Sequence, residues 1–168
     1  MPDFAQPLRS ESDQEGLRLF LSGTSLFGGL ETAVADRLSR LLRERRFAAG
    51  ETVFAEGECG KSMYLVRSGE LIVERHCAHG SEARLLMMRA GDHFGVTALI
   101  EMEPRPFSCV AEKESLVYEL TSVDLYRLYK EDMKAYLLIL QNINRELCRR
   151  LRKAVVRIAA LEDSHREH

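Results

Sequence analysis

Residues 91–111 read GDHFGVTALIEMEPRPFSCVA, and the interpretation of the rest of the chain depends on this stretch. Gly95 precedes a short apolar run, VTALI (96–100), and Arg105 follows between two prolines, Pro104 and Pro106. Glycine permits a sharp turn, and proline fixes the backbone on both sides of the arginine. The stretch therefore predicts a glycine turn, a short helix, and a rigid loop that holds a cation close to both.

On either side of this stretch, residues 45–120 contain short β-prone runs separated by glycines. Regularly spaced short strands with turn residues between them are typical of a small antiparallel barrel or jelly roll. The segments 68–70 (SGE) and 79–81 (HGS) are typical of hairpin turns. The predicted strands are 52–54, 63–66, 71–73, 85–87, 107–111 and 116–120.

Helical patterns flank the β-rich part. We predict a polar tail over 1–16, then a core unit over 17–131 with a helix at about 31–44 and a short helix capped by Thr121 or Ser122. A long helix is predicted over about 132–163, within a final segment 132–168.

The long helix carries a heptad seam that predicts pairing with a second helix. Asparagine at a seam position costs stability but fixes register and favours two strands, so we predict a parallel homodimer with Asn144 paired across its axis. The alternative is that Asn144 faces the barrel or water. The seam positions are Leu140, Asn144, Leu147, Leu151, Ala154, Ile158 and Leu161, preceded by Leu137.

Composition excludes several classes of protein. The formal net charge of −2 over 168 residues gives no reason to expect a polyanion as the main partner. No apolar run is long enough to span a bilayer, and the first residues lack the apolar core of a signal peptide, so we expect no membrane association. The four cysteines form no zinc-like spacing, which predicts free thiols and a cytoplasmic location.

Taken together, these segments resemble the cyclic nucleotide-binding domain of the catabolite-activator (Crp/Fnr-like) superfamily over about residues 25–160. The resemblance rests on FAAGETVFAEGECGKSMYLVRSGELIV (47–73), LLMMRAGDHFG (85–95) and ALIEMEPRPFSCVA (98–111). It implies a mainly β fold with flanking helices: a β-roll of the double-stranded β-helix (jelly roll) type followed by a long C-terminal helix.

The resemblance also implies a phosphate-binding cassette in which Gly95 is the turn glycine and Arg105 the phosphate arginine. An arginine fork makes charge-assisted contacts to phosphate oxygens. The ligand would be a cyclic nucleotide, cAMP or cGMP, or another small anion. The residues expected to bind it are Phe94, Gly95, Val96, Thr97, Ala98, Leu99, Arg105, Pro106, Phe107 and Ser108.

This sequence departs from the family pattern at several positions. Val96 replaces the glutamate that binds the ribose, Pro106 removes a backbone N–H, and Phe107 replaces a small residue. Losing the glutamate and N–H contacts removes about 2.5–4 kcal/mol, which is roughly two to three decades of affinity. Along the long helix, the resemblance places Ala154 and Val155 near the base.

Three other patterns have competing interpretations. Arg105 either receives an anion or pairs with Glu101 or Glu103 on its own loop. His76, His79 and His93 suggest a metal site, although the cupin pattern is absent and surface histidines are the simpler interpretation. The basic run 149–153 (RRLRK) is interpreted as solvated charge beside the seam rather than as a DNA or membrane contact.

The sequence therefore predicts a non-enzymatic regulatory module that binds a small anion and relays its occupancy through the C-terminal helix. We expect no direct DNA binding by this chain, since the residues after the long helix hold no helix-turn-helix. The alternatives are a homodimerisation scaffold with a degenerate pocket and a metal-dependent, cupin-like enzyme.

Overall fold

The computed structural model describes residues 11–76, 82–101 and 103–166. Eight strands and five helices lie within these ranges. In chain order they are α1 (Glu11–Ser22), α2 (Thr32–Leu41), β1 (Arg43–Phe47), β2 (Thr52–Phe54), β3 (Ser62–Ser68), β4 (Leu71–His76), β5 (Glu82–Met88), β6 (His93–Phe94), α3 (Val96–Ile100), β7 (Ser108–Ala111), β8 (Ser115–Thr121), α4 (Ser122–Glu131) and α5 (Met133–Arg166).

The strands form two antiparallel four-stranded sheets, in the orders β1-β8-β3-β6 and β2-β7-β4-β5. One apolar core lies between the sheets and includes Phe54, Tyr64 and Phe94. A second core lies between the first sheet and the helices and includes Leu38 and Ile139. The predicted β-roll with flanking helices and a long C-terminal helix is confirmed.

The structure corrects two sequence predictions of helix and tail boundaries. The helix predicted over 31–44 ends at Leu41, because Leu42 adopts an extended conformation (φ −71°, ψ 125°). The residues that follow form strand β1, which pairs with β8 at the sheet edge. Its charged sequence RERRF suits an edge strand. Helix α1 begins at Glu11, so part of the predicted tail 1–16 is helical.

The predicted hairpin at Ser68-Gly69-Glu70 is wrong, because β3 and β4 belong to different sheets. Gly69 adopts a left-handed backbone (φ 92°), which lets the chain turn from one sheet to the other. The predicted turn at 79–81 lies outside the described residues. The predicted cap of the short helix is Thr121, whose hydroxyl accepts from the N–H of Asp124 in a capping box.

Helix α5 packs on the barrel along its first half and projects beyond it. Ala135, Ile139 and Ile143 are buried against the second core. Asn142 connects this half of α5 to the segment after α1, because its side-chain amide donates to the carbonyl oxygens of Leu26 (3.0 Å) and Gly28 (3.1 Å). Among the helices of the described ranges, none is both long and apolar enough to cross a bilayer.

Candidate functional site

The stretch around Gly95 forms the predicted turn and helix. Strand β6 ends at Phe94, Gly95 takes a left-handed conformation (φ 74°), and α3 begins at Val96. A Cβ atom at residue 95 would lie 2.5 Å from Nη1 of Arg105. Glycine is therefore required here both by the backbone and by the close approach of the arginine.

Arg105 points into the molecule, and only 3% of its surface is exposed. Its Nη2 donates to the carbonyl oxygen of Ser62 (2.7 Å), and its Nη1 donates to that of Gly95 (3.1 Å). The guanidinium stacks on Phe54, with Cζ 4.1 Å from the ring centroid, and lies 5.8 Å from the centroid of Tyr64. These contacts hold a planar cation against an aromatic wall.

No carboxylate of the described residues forms an ion pair with this cation, although the charges of Glu58 and Glu119 act on it from farther away. Glu101 and Glu103, the alternative partners, are exposed. Burial lowers the pKa of the Arg105 guanidinium from its usual value. Its Nε is buried without a hydrogen-bond partner. Since a guanidinium has five N–H donors, the two bonds to carbonyls leave three unused.

A cavity of about 190 Å³ opens beside Arg105. Two aromatic side chains that line it, Phe54 and Phe94, have ring centroids 5.9 Å apart, and Phe94 stacks on Tyr64 of the core behind it at 5.2 Å. The cavity is lined by Phe54, Val73, Leu85, Leu86, Met88, Phe94, Gly95, Val96, Thr97, Arg105, Pro106, Phe107, Leu147 and Arg150.

Seven of the ten residues predicted to bind ligand line this cavity: Phe94, Gly95, Val96, Thr97, Arg105, Pro106 and Phe107. The other three do not line it. Ala98 and Leu99 are buried within the fold, and Leu99 lines a different cavity. The Ser108 hydroxyl accepts from the N–H of Glu56 (2.9 Å) and so fastens a loop.

Helix α5 reaches the cavity through residues that the sequence did not indicate. Leu147 and Arg150 line it, whereas Ala154 and Val155, predicted to lie near a base, are exposed farther along the helix. Arg150 Nη2 donates to the carbonyl oxygen of His93 (2.6 Å), and its Nε donates to Glu146 (3.1 Å). Arg150 is therefore not the solvated charge that the basic run suggested.

The β5 side of the cavity was also missed by sequence reasoning. Leu85 and Leu86 were assigned only to the predicted strand 85–87, and Met88 lay just beyond it, although β5 extends to Met88. The strand pattern did not indicate which face of β5 meets the cassette. The signal that the structure adds is the exposure of Leu86, which is 48%.

The predicted seam on α5 divides into two parts. Leu140 and Leu147 are half-buried and pack against the second core. Farther along, Leu151 is 65% and Ile158 58% exposed, and Asn144 and Ala154 are also exposed. The side chain of Leu161 lies outside the described residues. The protruding part thus presents an uncovered apolar stripe within one chain.

The histidines and cysteines form no cluster in the described ranges, where no three potential metal ligands lie together. His93 is buried, and its burial, with Arg150 nearby, lowers its pKa to about 4. His79 lies outside the described residues. Cys59, Cys109 and Cys148 are free thiols, and burial raises the pKa of Cys109 to about 12.

Comparison with known proteins identifies relatives of this architecture. Residues 44–132 match the family model described as the cyclic nucleotide-binding domain. A cyclic AMP receptor protein from Thermus thermophilus is 30% identical over 138 residues, which are 80% of this chain and 60% of that protein. A cAMP-dependent protein kinase regulatory subunit from Aspergillus niger is 32% identical over 101 residues, 60% of this chain and 24% of that protein.

Solved structures show the same fold. The crystal structure of the Thermus thermophilus catabolite activator protein superposes with a TM-score of 0.74 at 28% identity, covering 83% of this chain and 63% of that one. A cyclic nucleotide-binding domain from Methylobacillus flagellatus superposes with a TM-score of 0.78 at 22% identity, covering 88% and 83%. This chain thus spans about three fifths of the length of the receptor protein it matches.

Proposed function

Because the chain belongs to the cyclic nucleotide-binding domain family, we propose that its β-roll is a non-enzymatic regulatory module that binds a small anion beside Arg105. The anion is either a cyclic nucleotide, bound weakly, or another compact anionic ligand. Occupancy is relayed through α5, and α5 pairs two copies of the chain into a homodimer.

The observation that carries this proposal is a buried cation that forms no ion pair with any described residue. Arg105 is 3% exposed and bonds to two carbonyl oxygens but to no carboxylate of the described residues. Desolvating a charge costs several kcal/mol, and the two hydrogen bonds to neutral carbonyls and the stacking on Phe54 offset this cost without supplying an opposite charge. An anion in the adjoining cavity would use the unused N–H donors and neutralise the charge.

Weak binding of cyclic nucleotides follows from the cassette. Val96 is 2% exposed and packs into the second core, so the position after the turn glycine offers no acceptor to a ribose hydroxyl. Pro106 lines the cavity without a backbone N–H. The cassette keeps the phosphate arginine but lacks both the ribose acceptor at position 96 and the backbone N–H at position 106. This combination favours the binding of a simple anion over that of a nucleotide.

A relay through α5 is supported by the contacts of Arg150. This residue lines the cavity and bonds to the carbonyl oxygen of His93, two residues before the turn glycine. A ligand that shifts Gly95 or the loop around it changes the position of that carbonyl and the fit of α5. The shift is limited by the difference in ligand affinity between the two arrangements.

The homodimer is supported by the apolar stripe on the protruding half of α5. Leu151, Val155 and Ile158 follow at helical spacing and are more than half exposed. A second helix would cover this stripe. The same stripe favours the second candidate function, a homodimerisation scaffold whose pocket has lost its ligand.

The test is thermal unfolding with cAMP, cGMP or inorganic phosphate, each raised to roughly 10 mM. Saturation at about 100 times the Kd adds roughly 2.7 kcal/mol, which raises Tm by about 5–10 °C for a chain of this size. Arg105→Lys keeps the charge but loses the fork and should abolish the shift. Arg46→Lys, at an exposed position on β1, is the matched control and should keep it.

If none of these three anions raises Tm of the folded wild type, binding of cyclic nucleotides and of phosphate is refuted, and the scaffold is favoured over a nucleotide sensor. Analytical sedimentation then tests the homodimer of the scaffold independently of ligand binding. Leu151→Asp should convert a dimer into monomers, and a wild type that is already monomeric at high concentration would refute the dimer.

A further inference from the structure

The side chains around the cavity point to a more specific ligand class: we propose that the cavity binds an apolar carboxylate or similar monoanion that has few hydrogen-bond donors, in preference to a nucleotide. This inference rests on the proposed function, because it assumes that an anion binds beside Arg105. It concerns the rest of the ligand.

The polar side chains of the cavity are almost all donors. Arg105 and Arg150 can donate but never accept, and the Thr97 hydroxyl is the one side-chain oxygen among the lining residues that the structure describes. A ligand hydroxyl or amino group buried here would find a single side-chain acceptor. Each buried donor left without a partner costs about tenfold or more in affinity.

A cyclic nucleotide carries such donors on its ribose and, for adenine or guanine, on its base. The position after the turn glycine, where a glutamate could have accepted a hydrogen bond from the ribose hydroxyl, holds Val96, whose side chain packs in the second core. The carbonyl oxygen of Gly95 has one of its two lone pairs already used by the bond from Arg105. The cavity therefore disfavours the polar parts of a nucleotide while retaining the group that attracts its phosphate.

The walls favour an apolar ligand body. Ten of the fourteen lining residues are apolar side chains, from both sheets and from α5. Leu86, at the wall formed by β5, is 48% exposed, so an apolar ligand would remove leucine surface from water at that point. The volume of about 190 Å³ lies below the roughly 300–1,000 Å³ of sites for drug-sized ligands, which favours a small acid.

Arg150 provides a second donor at the α5 side of the same cavity. Its guanidinium gives one bond to Glu146 and one to the carbonyl of His93, which leaves N–H groups unused. An acceptor at the far end of the ligand, such as a carbonyl oxygen, would find a partner there. The preferred ligand is thus an apolar body with an anion at one end and acceptors elsewhere.

Titration calorimetry of the full chain with 1-naphthoate, octanoate, cAMP and cGMP tests the preference directly. We expect one of the two acids to bind at least tenfold more tightly than either nucleotide. Whether 1-naphthoate or octanoate binds more tightly shows whether the cavity prefers an aromatic or an aliphatic ligand body. If a nucleotide binds as tightly as both acids or more tightly, the inference is refuted while the proposed function stands. If none of the four binds, and phosphate does not either, both are refuted.

Two matched pairs of variants show whether the acid occupies this cavity rather than another apolar surface. Leu86→Ser should weaken acid binding at least threefold, whereas Met87→Ser, on the next residue of β5 and outside the lining, should not. Arg105→Lys should abolish acid binding, whereas Arg46→Lys should leave it unchanged. Binding that is equal in Leu86→Ser, Arg105→Lys and the wild type would place the acid elsewhere and refute the inference.

Discussion

Gly60 is predicted to be required because Arg105 occupies the space where a side chain would lie. The backbone of Gly60 is not left-handed, so alanine is not excluded by φ. A Cβ atom there would lie 2.5 Å from Cζ and 2.7 Å from Nη2 of Arg105, and closer still to Nε. These distances are too short for any real contact, and all three obstructing atoms belong to one side chain. Gly60→Ala must therefore displace the guanidinium.

The expected loss of stability can be worked out from the bonds that the displacement breaks. Arg105 donates to Ser62 at 2.7 Å and to Gly95 at 3.1 Å, and bonds of a charged group contribute about 1.5–3 kcal/mol each. Because a displaced guanidinium regains water, we expect a loss of about 2–4 kcal/mol in the free energy of unfolding. For a chain of this size, that corresponds to roughly 5–15 °C in Tm. Anion binding should fall at least tenfold.

A double-mutant cycle measured by chemical denaturation separates this mechanism from a general intolerance of alanine. In an Arg105→Ala background the obstructing atoms are gone, so Gly60→Ala should cost almost nothing further. Gly16→Ala is the control, since no atom lies within 4 Å of its Cβ and alanine favours the helix by about 0.5–1 kcal/mol. Additive losses from Gly60→Ala and Arg105→Ala would show that the guanidinium is not the obstacle.

Three further predictions concern the helix α5 and its contacts. His93 is buried and has a pKa of about 4, against 6.5 for an exposed histidine, so between these pH values the unfolded chain binds a proton that the folded chain does not. The free energy of unfolding in urea melts should therefore fall by up to roughly 3 kcal/mol from pH 6.5 to pH 4. His93→Gln should remove this part of the pH dependence. Asn142→Ala should lower the free energy of unfolding by about 1–3 kcal/mol, because two carbonyl oxygens lose their donor, while Gln141→Ala at an exposed position should change it little; equal effects would contradict the assignment. Asn144→Leu should give a tighter or higher-order species in sedimentation, and unchanged sedimentation at equal stability would contradict pairing across the axis.

The local features of the cassette could be predicted from the sequence. The glycine that needs a left-handed backbone, the short helix and the arginine fixed between prolines are consequences of residues close together in the chain. The structure has Gly95 at φ 74°, α3 from Val96 to Ile100, and Arg105 buried beside them. The same holds for the Thr121 cap, which depends on a contact three residues away.

Strand β1 and the turn at Gly69 could not be predicted, because both depend on pairing with distant strands. Arg43–Phe47 shows no β-type apolar pattern and becomes a strand through its pairing with β8, far along the chain. Gly69 permits a tight turn either within a hairpin or between two sheets, and the sheet order alone decides which.

Local pattern was enough to establish that a cation and a glycine turn lie together and that a long helix follows a β-roll. What faces the cation and the turn depends on packing between distant segments. Arg150 and Leu147 reach the cavity because the packing of α5 on the barrel sets its rotation and height, whereas the family resemblance placed Ala154 and Val155 there. Helical periodicity defines which residues share a face, but the packed core defines where along the helix that face meets its neighbour.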